Sequence, residues 1–65
     1  MNEKLLSEIS KLVRQEILTY RESLTFQDIV VFTGCVLAIF KQNNILTSQE
    51  EKLLREKVLG GLYGP

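Results

Sequence analysis

Histidine and tryptophan are absent from this sequence, and cysteine, proline and methionine occur once each. Each absence removes a class of function. A lone Cys35 forms no internal disulfide, and without histidine or a CxxC pair there is no ligand set for zinc or an iron-sulfur cluster. General acid-base work near neutral pH would fall to a carboxylate or lysine with a strongly shifted pKa, so no enzyme activity is expected. No P-loop, GxGxxG or DxDxDG pattern occurs, and no cofactor is expected. Charge of one sign is missing too: eight basic and eight acidic side chains cancel and are interspersed. No basic stripe exists to neutralise phosphates, which argues against nucleic acid or an anionic membrane as the main partner. The longest apolar run falls short of the roughly 20 residues that span a bilayer, and it lies mid-chain, away from where a signal peptide stands. A soluble, cytoplasmic protein is expected, and one unpaired cysteine fits a reducing compartment.

What is present is a run reading IVVFTGCVLAIF from Ile29 to Phe40, bracketed by Asp28 and Lys41, in a chain of only 65 residues. A chain of this length forms one domain, residues 1–65, and buries only about 60% of the surface its unfolded form exposes. With disulfides and metals excluded, stability must come from helix packing and from association.

The spacing predicts three helices, at about 2–20, 25–42 and 48–59, followed by a short tail over 60–65. In the first, Leu5, Leu6, Ile9, Leu12, Val13, Ile17 and Tyr20 repeat with helical period, and Lys4, Ser7, Lys11, Arg14 and Gln15 fall opposite. Leu18 lies off the stripe. Thr25 and Asp28 stand where a helix start wants its cap and third residue. On the second helix, Phe26, Ile29, Val30, Val36, Leu37 and Phe40 gather on one side and Val31, Phe32, Cys35 and Ile39 on the other, so two coverings are needed. A hairpin turning at Thr33-Gly34 is the competing reading of the same run. Asn43 and Asn44 tolerate the left-handed conformation of a helix end, and Ile45 and Leu46 are expected back in the core. Thr47 with Glu50, or Ser48 with Glu51, caps a third helix that carries Leu53, Leu54 and Val58 on one stripe and an Glu51–Arg55 pair in the favourable order. Gly60 and Gly61 are expected to stop it.

Gly34 costs about 1 kcal/mol in a helix interior relative to alanine. With Ala38 one turn on and Cys35 alongside, either it admits a second backbone or it relieves crowding within one three-helix core. Cys35 has apolar neighbours and reads as a packing or interface residue, not a nucleophile. Leu62 and Tyr63 form either a docking element with an aromatic anchor or a fold-back onto the last turn.

The opening MNEKLLSEISKLVRQEI resembles the amphipathic encapsulation peptides of bacterial microcompartments, and Ser48-Gln49-Glu50 resembles part of the signature of sporulation aspartyl-phosphate phosphatases. The first is not followed by the usual Gly/Pro/Ser linker. The second has Lys52 and Leu53 where the family places an aspartate, so neither assigns the chain to a family.

The fold class that follows is all-α, a small three-helix domain with a central apolar helix, forming a homo-oligomeric bundle. The expected function is protein-protein interaction through helix-helix contacts, as a small regulatory, adaptor or assembly factor of bacterial or phage type with a larger protein partner. The candidate interface residues are Val31, Phe32, Gly34, Cys35, Ala38, Ile39, Leu62 and Tyr63. The alternative is a small dimeric DNA-binding regulator using Lys52, Arg55 and Lys57.

Overall fold

The computed structural model describes residues 2–63, and among these the regular elements are helices. In order they are α1 (Glu3–Thr19), a single 3-10 turn (Arg21–Ser23), α2 (Phe26–Gln42) and α3 (Ser48–Tyr63). This is the all-α three-helix domain expected. The hairpin is not formed.

Local chemistry at the helix starts explains the boundaries. Asn2 accepts the Leu5 N–H at 3.0 Å and opens α1. At α2 the box is complete: Thr25 Oγ1 accepts the Asp28 N–H at 3.1 Å, and Asp28 Oδ2 accepts the Thr25 N–H at 3.0 Å. Of the two caps open to α3, the chain uses Thr47 with Glu50, at 2.9 and 3.1 Å. The α2 end is closed by Asn43, whose side-chain amide donates to the Ile39 carbonyl at 2.8 Å, and by Asn44 in the left-handed region at φ 61°. Each cap stabilises by about 1 kcal/mol, so Thr25→Ala and Thr47→Ala are each expected to lower the thermal midpoint by roughly 4–8 °C, read by circular dichroism.

Packing is uneven. α3 lies against both α1 and α2, whereas α1 and α2 touch each other sparingly. One core joins Leu6, Ile9, Val13 and Ile17 of α1, Ile29 and Leu37 of α2, Leu46 of the connection, and Leu54 and Val58 of α3. Thr33 sits fully buried among them, between Ile29 and Leu37 on one stripe of α2. Its hydroxyl donates to the Ile29 carbonyl one turn back at 2.8 Å, so this buried polar group carries its own acceptor.

Four expectations are corrected. The buried stripe of α1 is narrower than its periodicity suggests: Leu5, Leu12 and Tyr20 are exposed, because α1 leans on α3 and its side toward α2 is left open. Ile45 is exposed and only Leu46 returns to the core. Phe32 is not on an outer face but half-buried against the core with Val36 and Phe40. Finally, Gly60-Gly61 does not stop α3, which continues through Leu62 to Tyr63. Tertiary contacts extend it: Leu62 packs on the core, and the Tyr63 ring meets Phe26 at 4.9 Å between centroids with the Arg21 guanidinium 5.7 Å above it. Gly60 and Gly61 therefore belong to α3, and of the expected tail residues 64 and 65 lie outside the described residues.

Candidate protein-interaction surface

The sparse contact between α1 and α2 leaves a trough along their seam. Its two hollows, of about 240 and 190 Å³, share Glu16 and Phe32 as walls. Leu12, Val36 and Phe40 line one, and Tyr20 and Leu24 the other. Leu12 is 62% exposed and lines the same hollow as Phe32. Glu16 is the one charged residue in these walls.

Around the corner of α2 lies its outer face. The buried stripe Ile29, Thr33 and Leu37 points at α3 and α1, so the 100° step per residue turns Val31, Cys35 and Ile39 the opposite way. Val31 is 55% and Ile39 56% exposed, Cys35 is exposed, and Gly34 and Ala38 are half-buried between them. From Ile29 to Phe40 no charged side chain interrupts this helix on any side. Gly34 has open space where a Cβ would stand, with no atom within 4 Å. Crowding within the chain's own core is therefore not its reason.

Of the eight candidate interface residues, five (Val31, Gly34, Cys35, Ala38 and Ile39) fall on this outer face. Phe32 lines the neighbouring trough. Leu62 and Tyr63 are placed apart from them, as the last residues of α3, Leu62 against the core and Tyr63 on Phe26, so they neither fold back on the helix end nor extend from it as a tail. Sequence reasoning missed Leu12, Val36, Phe40, Tyr20 and Leu24 as exposed or groove-lining residues, since helical period does not report how far apart two helices stand.

Elsewhere, Lys11, Arg14 and Arg21 surround a hollow of about 200 Å³ with Leu18, Gly61 and Leu62. These cations stand near the C-terminal end of α3 and complement the negative end of its dipole. Arg14 lies across Gly61, where a Cβ would meet its Nη1 at 3.0 Å. On α3, Arg55 is held by Glu51 at 3.1 Å, and Lys52 and Lys57 diverge by about 140° around the helix with Glu56 between them. The three do not form one basic face. Among the described residues no three of His, Cys, Asp or Glu gather to hold a metal ion, and no helix is long and apolar enough to cross a membrane.

No family model, curated protein or solved structure matches this chain.

Proposed function

We propose that this chain is a protein-protein interaction module, a small regulatory, adaptor or assembly factor that works by offering α2 and the α1/α2 trough to other helices. The observation that carries the reading is the apolar outer half of α2, where Val31 and Ile39 remain more than half exposed although they are large hydrophobic side chains. Burying each on a partner would contribute very roughly 1.5–3 kcal/mol before the costs of association, a gain the isolated chain forgoes. The trough adds aromatic anchors, Phe32 and Phe40, of the kind that dominate helix-in-groove recognition. The partners are a second copy and a larger protein, the setting is the cytoplasm, and no catalytic role is assigned.

The test is capture in place. A photo-crosslinking amino acid at Ile39, in the cells that make the protein, is expected to yield discrete adducts of higher mass, and the same group at Lys57 none. Absence of any protein adduct at Ile39, Val31 and Phe32 alike would contradict the reading.

A further inference from the structure

We infer that the hollow between α1 and the last turn of α3 binds an acidic peptide, with a carboxylate of a protein partner seated among Lys11, Arg14 and Arg21 and an apolar neighbour of that carboxylate on Leu18. This site is separate from the α2 face. On α1 the 100° step per residue turns Lys11, Gln15 and Leu18, which line the hollow, away from Leu12 and Glu16, which wall the trough. The hollow adds a second surface to the interaction reading and fixes the chemistry of what that surface takes.

Charge is the first ground. Three of the chain's eight basic side chains line this one hollow of about 200 Å³, and no acid is among its lining residues. Lys11 and Arg14 stand three residues apart on α1, a spacing at which like charges repel, and Arg21 joins them from the turn that follows. Glu8, three residues before Lys11, and Glu22, beside Arg21, are the nearest acids in sequence. Among the described residues neither is ion-paired with these cations, and the ion pair that does form is Glu51 with Arg55.

The second ground is how the cations are held. Because α3 runs on past Gly60, Gly61 lies against Arg14, and a Cβ there would stand 3.0 Å from its Nη1 and 3.1 Å from its Cδ. Glycine is unfavourable within a helix, and here its missing side chain is what lets the guanidinium lie across α3. Two residues on, the Tyr63 ring lies 5.7 Å from the Arg21 guanidinium. The end of α3 therefore fixes two guanidinia at one opening, which lowers the ordering cost that a ligand would otherwise meet.

The third ground is what folding leaves unsatisfied. Arg14 Nε is buried without a hydrogen-bond partner, a cost that nothing within the chain recovers. Arg14 is half-buried and still lines the hollow, so an acceptor placed there meets a guanidinium already stripped of part of its water, where a charged hydrogen bond is stronger than at an open surface. The same features select the occupant. The chain's other basic side chains are dispersed and offer no track for successive phosphates, which argues against a nucleic acid. Leu18, 51% exposed, and Leu62 give the hollow apolar walls beside the charges. A carboxylate next to an apolar side chain, as in an acidic segment that contains leucine, satisfies both, and the planar guanidinium matches a carboxylate bidentately.

The test titrates a short peptide of alternating Glu and Leu into the isotope-labelled full-length chain and follows its backbone and arginine Nε–H resonances by NMR. Saturable shifts at Lys11, Arg14, Arg21 and Gly61 are expected. Replacing Glu by Gln in the peptide, or Arg14→Gln in the chain, is expected to weaken binding by about tenfold or more, and Lys57→Gln to leave it unchanged. Gly61→Ala is expected to weaken binding without lowering the thermal midpoint, since alanine favours the helix but displaces the Arg14 side chain. Where Arg14→Gln fails to fold by circular dichroism, Lys11→Gln, at an exposed position, takes its place. No saturable shift up to millimolar peptide, shifts that fall on α2 instead, equal affinity for the Gln peptide, or binding undiminished by the charge-removing substitution would overturn the inference. Inorganic pyrophosphate bound more tightly than the peptide would overturn it too, by making the hollow a phosphate site. A chain that takes no peptide while its Ile39 still cross-links to a protein would remove this site alone and leave the α2 reading standing.

Discussion

Leu54→Ala is expected to leave the chain largely unfolded at 37 °C. Leu54 is 0% exposed on α3, the helix that packs against both of the others, and with Val58 it anchors that helix in the shared core. Removing it costs the transfer free energy of the lost groups and leaves a cavity, about 2–5 kcal/mol for this substitution in a core. At about 0.05–0.15 kcal/mol per residue, a domain of 65 residues holds about 3–10 kcal/mol in all, and one this small, without disulfide or metal, is expected toward the lower end. A shift of about 3 kcal/mol corresponds to a fall of roughly 12–24 °C in the thermal midpoint. Circular dichroism of the variant beside the natural chain reads the result, and a midpoint within a few degrees of the original would place Leu54 outside the core.

The second large effect separates two isoleucines ten residues apart on one helix. Ile29→Glu puts a carboxylate into a site that is 2% exposed within the apolar core, and the expected outcome is an unfolded chain. Ile39→Glu places the same charge on a side chain that is 56% exposed, where surface substitutions change stability by about 0.5 kcal/mol or less. Its expected effect is on association, at least a hundredfold weaker, because a charge would then be carried into an apolar contact without a partner. Thermal melting at low concentration and sedimentation at high concentration read the two properties apart. Equal unfolding by both substitutions would mean that Ile39 is covered within the chain, and unchanged association would remove it from any interface.

How much of this was legible beforehand follows from the range of the forces involved. The caps were readable because they are local: Thr25 with Asp28, and Thr47 with Glu50, need only a spacing of three residues. The helical period and the left-handed Asn44 are local in the same sense. The far end of α3 was not, since Tyr63 is held in the helix by an aromatic ring and a guanidinium that come from Phe26 and Arg21, distant in sequence. The competing hairpin put its turn at Thr33-Gly34; Thr33 instead lies buried within α2, its hydroxyl donating to the Ile29 carbonyl, a bond that composition alone does not announce. The outer face of α2 was visible from its wheel, but the trough beside it was not. Its existence depends on α1 leaning toward α3, and no pattern within α1 alone records that tilt. Gly34 shows the limit most clearly: the residue is the same whether its emptiness is filled by the chain's own core or left open, and only the space around it decides.

The central claim is that the apolar outer half of α2 is covered by another helix in the working protein, a second copy among them. Absolute mass by light scattering, taken from micromolar to near-millimolar concentration, tests it most directly. The account predicts a rise from the mass of one chain to that of two within this range, abolished by Ile39→Glu and by Gly34→Leu while their helical content is kept. A single-chain mass at every concentration, with melting unaffected by dilution, would contradict it.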